Sequence, residues 1–314
     1  MARLNTDSNL ASERESEVDL LELVRVIWRG KWIVILFAGV FSVASVFYAL
    51  SLPNKYKSFA VLAPSDSSSG GGLADIAGQL GGVAALAGFS IPSGGSDKSA
   101  EALHVLQSWS FIEEFIQEQN IAPEVFAAVG WNVDTRELVF APEVYDPVAG
   151  VWKRNPPKHK NAEPSSWELY NVFREFLAVE DDLTSGFKTL SIEYYSPDRA
   201  QEWLALLVNK LNQRFKEAEI KEAEKNIEFL KSQIGETSLA SMQQIFFGLI
   251  EDQTKSLMLA KGTEEFVFKV VSEPRVPEDK SSPKRALICI VSFIVGTMLG
   301  LVVVLIANVS RKQG

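Results

Sequence analysis

The chain has 314 residues, of which 23% are charged and 46% hydrophobic, close to the composition of soluble globular proteins. Its formal net charge of −9 argues against a nucleic-acid partner, because neutralising phosphates requires a basic surface. The single cysteine, Cys289, excludes an intrachain disulfide. Because there is no Cys/His cluster, we expect no metal site and no cofactor.

The chain begins with a polar leader that is followed by an amphipathic stretch. Ser16 and Asp19 have the spacing of a helix start, with Ser16 as the cap. The apolar residues that follow recur at helical spacing: Leu20, Leu23, Val24, Ile27 and Trp28. They predict either an interfacial helix lying on a membrane or an extension of the apolar run that comes next.

Two long uncharged apolar runs, one near each end of the chain, predict transmembrane helices. They cover 32–52 and 286–307, and a helix of about 20 residues crosses a hydrocarbon core about 30 Å thick. The first run is too long for the apolar core of a cleaved signal peptide. We therefore expect 53–285 to be one water-exposed domain, with short segments at 1–31 and 308–314 across the membrane from it.

The charges beside the two runs leave the orientation open. Two spans place both termini on the same side, and basic flanks favour the cytoplasm. Five basic residues flank the runs on the terminal side and five on the domain side, so the two sides tie. They are Arg25, Arg29, Lys31, Arg311 and Lys312 against Lys55, Lys57, Lys280, Lys284 and Arg285.

The domain between the runs mixes strand and helix patterns. Alternating apolar residues predict strands at 56–62, 137–140, 187–195 and 265–271, and helical spacing predicts helices at 100–119 and 167–177. The rest of 120–165 is rich in proline, with six of the 13 in the chain, and reads as loops. The segment 65–99 is rich in Ser, Gly and Ala, and its middle part predicts an ordered loop or short helix between flexible ends.

The largest predicted element is a long helical stretch at about 197–261. It begins with Pro197 at the first helical position and is interrupted near Gly235. Its first part, about 40 residues, would reach roughly 60 Å, which is more than a globular core needs. We therefore expect neighbouring copies of the chain to cover part of its apolar face. The candidate oligomer-forming residues are Trp203, Leu207, Leu211, Phe215, Ile227 and Leu230.

Two further features surround the second apolar run. Pro274, Pro277 and Pro283, followed by Lys284 and Arg285, forbid helix and inner strand and predict an extended approach to the membrane. Within the run, Gly296 and Gly300 have the small-xxx-small spacing that lets transmembrane helices approach closely. They would pack on the first span or on a helix of a partner protein, although glycine is also simply frequent in spanning helices.

Chemistry-bearing residues are sparse, and each has a plainer structural interpretation. His104 and His159 lack an obvious nucleophile or metal partner. The acidic run 180–182 could bind a cation but is more typical of a solvated loop. Three tryptophans could stack on sugar rings, although core packing is more common: Trp131, Trp152 and Trp167. Neither Gly-rich stretch has the GxxxxGK[ST] form, so we expect no nucleotide chemistry.

The order of short motifs resembles a known family. The motifs are DLLEL and WRGKW before the first span, GGVAALAG, LSIEYYSPDRAQEW, NIEFLKSQ, LIEDQ, EEFVFKVV and the proline approach to the last span. They resemble the polysaccharide co-polymerases, specifically the bacterial O-antigen chain-length determinant (Wzz) family. The resemblance covers the chain from about Val18 to Lys312, and the order of the motifs carries it rather than any single one.

The resemblance implies an α+β fold with two transmembrane helices flanking a periplasmic α/β base domain and a long protruding helix. The base would contain the strands at 56–62, 187–195 and 265–271 and the helix at 100–119. Family members lie in the bacterial inner membrane with both termini cytoplasmic, and their copies form a homo-oligomeric ring. They are not enzymes. They set the modal length of lipopolysaccharide O-antigen that the Wzy polymerase makes from lipid-linked polysaccharide.

Other functions fit the two-span frame less well. A two-span component of a capsule or polysaccharide export complex is the main alternative, because a long helix would suit reaching across the periplasm. A transmembrane sensor would need a cytoplasmic output domain, for which we expect no room. The choice between O-antigen and common antigen stays open.

Overall fold

The computed structural model describes residues 28–65, 94–157, 160–182, 184–236 and 239–313. The predicted helix start at Ser16, most of the amphipathic stretch, most of the Gly/Ala-rich segment and His159 lie outside the described residues. The chain forms two compact units. The first unit is Met1–Pro53 with Ser282–Gly314, and the second is Asn54–Ser281.

Helices and strands alternate irregularly along the chain, as expected of an α+β fold. The helices are α1 (Lys31–Ser51), α2 (Gly94–Leu106), α3 (Trp109–Gln119), α4 (Ala122–Ala127), α5 (Ser166–Phe176), α6 (Pro197–Glu236), α7 (Ala240–Gly262) and α8 (Arg285–Gln313). The strands are β1 (Tyr56–Pro64), β2 (Ala128–Asn132), β3 (Glu137–Phe140), β4 (Tyr145–Asp146), β5 (Val151–Trp152), β6 (Leu177–Asp181), β7 (Lys188–Tyr194) and β8 (Phe268–Ser272).

The first unit is a pair of packed helices, α1 and α8. Both are long and apolar enough to cross a membrane, at Lys31–Ser51 and Arg285–Asn308. Most of their large apolar side chains are exposed within the chain, as expected of helices whose solvent is lipid. The helical structure predicted for the two apolar runs is confirmed.

The second unit is built on a four-stranded antiparallel sheet with strand order β6-β7-β1-β8. Side chains of β1 alternate between a buried face and an open one, whereas β7 is buried on both faces around Ser191. Leu62, Leu190 and Ile192 are fully buried, whereas Phe59 is half-exposed. The strands predicted from alternation at 56–62 and 187–195 are confirmed, and the sequence prediction missed β6.

The strand predicted at 265–271 starts three residues later, at Phe268. The physical reason is a side chain, Asn212 on α6, that competes for the backbone there. Its Oδ1 accepts hydrogen bonds from the amides of Val267 and Phe268, each at 2.9 Å, and its Nδ2 donates to the Phe268 carbonyl at 2.9 Å. Asn212 is buried, so these three bonds join the long helix to the edge of the sheet.

The single helix predicted at 100–119 was wrong, because the structure contains two helices, α2 and α3, there. Ser108 lies between them with extended backbone dihedrals, and its hydroxyl accepts a hydrogen bond from the amide of Phe111. A serine in this geometry caps a new helix rather than continuing the old one. The change of direction lets Phe111 and Phe115 both reach the core.

The prediction of loops with small strands over 120–165 missed the short helix α4 and three strands, β2, β4 and β5, of the two hairpins β2–β3 and β4–β5. Only the strand at 137–140 was predicted, and it is confirmed. The hairpin strands are short and half-exposed, so their hydrophobic alternation is weak. Pro123 lies in the first turn of α4, where the missing amide proton costs nothing.

Helix α6 divides into two parts along its length. Its first turns pack on the sheet and bury an apolar stripe at helical spacing, which includes Trp203, Leu207 and Leu211. Beyond Asn212 only Ala223 is fully buried, and the helix runs on beside α7. We call residues 213–236 and α7 together the helix pair.

Glu168 fastens the loop before α5 to the helix. It forms a capping box with Ser165, and its carboxylate accepts hydrogen bonds from Arg154 at 2.8 and 3.0 Å and from Lys160 at 2.9 Å. The hydrogen bonds from Arg154 are the largest cause that holds the pKa of this carboxyl well below its usual range. Partial burial opposes them, and Lys160 and the Ser165 amide lower the pKa further.

Replacing Asn212 with leucine should lower the free energy of unfolding by about 1–3 kcal/mol, because two amides and a carbonyl lose their buried partner. The measurement is urea unfolding of the full chain in detergent, followed by circular dichroism. Asn209→Ala, an exposed position on the same helix, is the matched control. Equal midpoints for the two variants would contradict the role given to Asn212.

Glu168→Gln should lower stability by about 1–3 kcal/mol at pH 7, because the charge-assisted bonds are lost. A carboxyl whose pKa is lowered by folding stabilises above its unfolded pKa of about 4.3 and loses that contribution as pH falls. The difference in Tm between wild type and variant should therefore be full at neutral pH and shrink below about pH 4. A difference that is independent of pH would refute this account.

Candidate functional site

Three glycines bring the two apolar helices of the first unit into close contact. A Cβ added at Gly300 would lie 2.8 Å from Val34 Cα, and one at Gly296 would lie 2.9 Å from Phe41 Cβ. A Cβ at Gly30 would overlap a methyl of Val304. The faces of Gly296 and Gly300 are thus occupied by the first span, which leaves little room there for a helix of another protein.

Arg285 joins the ends of the two helices. Its Nε donates to the carbonyl of Ala49 at 3.0 Å, and its Nη2 donates to the carbonyl of Leu52 at 3.4 Å. The last carbonyls of a helix have no partner within it, so a cation there satisfies them and complements the helix dipole. Of the predicted membrane-approach residues, Arg285 is thus the one bound to the first span.

The proline-rich approach runs in an extended conformation along the sheet. The hydroxyl of Ser58 donates to the Arg275 carbonyl at 2.8 Å, and the amide of Ser281 donates to the Lys55 carbonyl at 2.9 Å. The hydroxyl of Ser281 also donates to Glu193 Oε1 at 2.6 Å. The carbonyl of Pro274 accepts a long bond from Gln201. Neither Pro274 nor Pro277 lies in a helix or strand, as the sequence predicts.

The prediction that Trp203, Leu207 and Leu211 form oligomer contacts needs correction. All three are buried within a single chain, where they pack against the sheet and its covering helices. A side chain that fills its own core offers no surface to another copy. Phe215 is half-buried against the same core. Ile227 and Leu230 are half-buried on the helix pair.

The open apolar surface lies on the helix pair instead. Phe229, Ile245 and Phe247 are each more than half exposed, with exposed fractions of 61%, 56% and 59%. Ile245 and Phe247 are two residues apart, so they point to opposite sides of α7. Other exposed apolar residues of α7 and its start are Leu239, Met242, Leu249, Met258 and Leu259. Exposed apolar side chains grouped in this way are typical of an interaction surface.

The three tryptophans considered for sugar stacking have different surroundings. Trp152 is packed between aromatic neighbours, with its ring centroid 4.9 Å from that of Tyr145 and 6.1 Å from that of Phe126. Trp167 is half-exposed beside Trp109, at 5.1 Å between ring centroids. Trp131 lines an open cleft of about 690 Å³.

The acidic run at 180–182 is engaged within the chain. Glu180 and Asp181 lie at the end of β6, near Lys57 and Lys188 respectively. Asp182 accepts hydrogen bonds from Ser185 and Thr184, chiefly from the Ser185 hydroxyl, which lowers its pKa. His104 is exposed on α2. Across the described parts of the chain, no three His, Cys, Asp or Glu residues gather where they could hold a metal ion.

Comparison with protein families places two domains on the chain. The family Wzz, described as "Chain length determinant protein", matches residues 16–119. The family GNVR, described as "G-rich domain on putative tyrosine kinase", matches residues 238–309. Together the two matches take in α1, β1, α7, β8 and most of α8, and they leave out α6.

Among curated proteins, a "Chain length determinant protein" of Salmonella typhimurium is 22% identical, over 98% of both chains. Among solved structures, a full-length bacterial polysaccharide co-polymerase is 15% identical, with a TM-score of 0.37 over 94% of this chain and 99% of that one. A fragment of WzzB, a polysaccharide co-polymerase from Salmonella Typhimurium, is 16% identical, with a TM-score of 0.29 over 73% of this chain and all of the fragment.

Gly300→Leu should destabilise the packing of the two apolar helices, because its side chain would overlap Val34. We expect a loss of about 1–3 kcal/mol, seen as a lower midpoint of heat-induced aggregation in detergent. Gly39→Leu is the matched control, since a Cβ at Gly39 would have no heavy atom within 4 Å. If both variants aggregated at the same temperature as wild type, this close helix contact would not contribute to stability.

Proposed function

Because the chain carries the domain of the Wzz chain length determinant family, we propose that it is a polysaccharide co-polymerase that sets the modal length of a bacterial surface polysaccharide. The observation that supports this most directly is a relative named for that role that matches over almost its entire length. The proposal names lipopolysaccharide O-antigen as the polymer, and the Wzy polymerase and lipid-linked polysaccharide as partners.

The proposed location is the inner membrane, with both termini in the cytoplasm and the second unit in the periplasm. Two apolar helices close to the ends of the chain fit an anchor with one domain between them. Equal numbers of basic residues flank the two apolar helices on their terminal side and on their domain side, so the orientation in the membrane is proposed from the family alone. Long domains cross a membrane largely regardless of flanking charge.

The proposed action is binding and assembly rather than catalysis. The Wzz family is described by a role in determining chain length, and we assign no catalytic residue. Many charged side chains in the described part of the chain form ion pairs with one another, as Glu168 does with Arg154 and Lys160. The proposed mechanism is that several copies organise the polymerase or hold the growing glycan, so the geometry of the assembly determines the length.

A homo-oligomeric ring is proposed from the helix pair. Exposed apolar residues on opposite sides of α7, such as Ile245 and Phe247, need two different covering surfaces. Two neighbours in a ring supply two surfaces, because each contact joins different faces of adjacent copies. Half-buried Ile227 and Leu230 remain candidates for the edge of this contact.

A second candidate is a two-span component of a capsule or polysaccharide export complex. The match of the GNVR family to 238–309 favours it, because that family is described as a domain of a putative tyrosine kinase and not as a chain length determinant. Under this alternative the chain would co-purify with an export ATPase, and its loss would reduce surface export rather than alter the size distribution of the polymer.

Deleting the gene should replace the modal cluster of long chains with an unregulated ladder on a lipopolysaccharide gel. The reason is that polymerisation would continue without the assembly that limits it. Reintroducing the wild-type gene should restore the cluster. An unchanged modal ladder after deletion would eliminate the proposed function, and loss of capsule export with an intact ladder would favour the second candidate.

The same strain tests the ring. Complementation with Ile245→Glu/Phe247→Glu should fail to restore the cluster, because charge on both sides of α7 would prevent apolar contact between copies. Light scattering of the detergent-solubilised variant should show smaller particles than wild type. Gln244→Glu, at the neighbouring exposed position, is the control and should complement. A variant that complements while dissociated would contradict the role of the ring.

A further inference from the structure

An amphipathic cleft of about 690 Å³ lies where the β2–β3 hairpin and the β4–β5 turn approach the beginning of α6. Its volume is within the range of about 300–1,000 Å³ that is usual for ligand sites. One wall is apolar: Trp131, Leu138 and Phe140 come from the hairpin, and Pro147 and Val148 come from the turn. Val148 is 96% exposed, so it stands open at the mouth of the cleft.

The opposite wall is polar and already ordered. Arg199 Nη2 lies 3.0 Å from Glu124 Oε1, and its Nη1 lies 2.7 Å from Glu202 Oε2. Arg136 Nη2 lies 3.0 and 3.1 Å from the two carboxylate oxygens of Asp198. A guanidinium carries five donors and a carboxylate about four acceptor sites, so these pairs retain unused capacity toward the cleft. Donors and acceptors are therefore held in place before a ligand arrives.

The two walls together match the surface of a sugar ring. A pyranose has an apolar C–H face, which suits an aromatic ring such as Trp131, and hydroxyl groups around its edge, which both donate and accept hydrogen bonds. Carboxylates accept from such hydroxyls, and arginines donate to them. The other large cavity, of about 790 Å³ beside Asn209 and Thr263, has no aromatic ring among the described residues that line it.

The charge of the cleft limits which sugars fit. Its lining contains four carboxyl groups and two guanidinium groups: Glu124, Glu137, Asp198 and Glu202 against Arg136 and Arg199. Burial raises the pKa of Glu124, the charge of Arg199 opposes this, and the charge of Glu202 adds to it. Even with Glu124 counted as neutral, carboxyl groups outnumber guanidinium groups. An added carboxylate or phosphate would meet like charge.

We propose that this cleft binds a short segment of a glycan built of neutral or amino sugars and discriminates against uronic acids and other anionic sugars. Trp131 is the stacking surface, and Asp198, Arg199 and Glu202 are the hydrogen-bonding groups. The choice of a glycan over another amphipathic ligand rests on the proposed function. The cleft would then be the place where a single copy of the chain touches the polymer.

The test is calorimetric titration of the full chain in lipid nanodiscs, since sugar-headed detergents would compete for the site. The probes are N-acetylchitotetraose, which is neutral, its deacetylated form, which is cationic, and tetragalacturonate, which is anionic. We expect the first two to bind and the anionic probe to bind about tenfold more weakly or not at all, a difference of about 1.4 kcal/mol. No binding of the first two, or tightest binding of tetragalacturonate, would overturn the proposal.

Two variants locate the binding. Trp131→Ala should weaken binding of N-acetylchitotetraose about tenfold, and Trp167→Ala, which alters an exposed tryptophan outside the cleft, should leave it unchanged. Asp198→Asn/Glu202→Gln removes two exposed carboxylates and should raise the affinity for tetragalacturonate about threefold. A gain of affinity cannot arise from misfolding. Equal effects of the two tryptophan variants, or no gain for the anion, would refute the site.

The outcome is separable from that of the proposed function. A modal ladder that is lost on gene deletion, together with nanodisc protein that binds none of the probes, would overturn the cleft and leave the function. Binding of the neutral probe with an unchanged ladder would leave the cleft as a glycan site and remove the function.

Discussion

Much of this structure depends on one helix, α6, which extends well beyond the hydrophobic core that it packs on. Helix α6 has 40 residues and so extends about 60 Å, while its stripe of buried apolar residues nearly ends at Asn212. Up to that point hydrophobic burial against the antiparallel sheet stabilises it. Past that point α7 runs beside it, Lys98 and Glu114 form ion pairs with its next turns, and apolar side chains on the helix pair stay exposed. The length of the helix beyond its core thus leaves an exposed apolar surface, which the proposed ring would cover.

The same helix connects three regions of the second unit. The inward side of its first turns carries Trp203 and Leu207 into the core, while the outward side of those turns carries Arg199 and Glu202 to the cleft. The Asn212 side chain then ties its middle to the edge of the sheet. A shift of α6 along its axis would therefore alter the core, the proposed glycan site and the helix pair together, because one rigid element carries residues of all three.

The accurate predictions were those that rest on residues close together in the sequence. The apolar runs are helices, the alternating segments around Ala60 and Ile192 are strands, and Pro197 begins α6. The family resemblance drawn from the order of short motifs is confirmed by a matching family domain and a curated relative. Two of the errors arose where a single polar side chain decides the local structure: Ser108 starts a new helix, and Asn212 binds the backbone at the start of β8.

Hydropathy and its period determined which segments are helices or strands and which could enter a membrane, because both properties are local. The tertiary structure alone decided which apolar residues are inside. Leu211 and Ile245 are both strongly apolar in the sequence, yet Leu211 on α6 is buried in the core and Ile245 on α7 is open. It also decided the cleft, which brings Glu124 within 3.0 Å of Arg199 although they are 75 positions apart. Such a meeting depends on how distant segments pack, which no local pattern encodes.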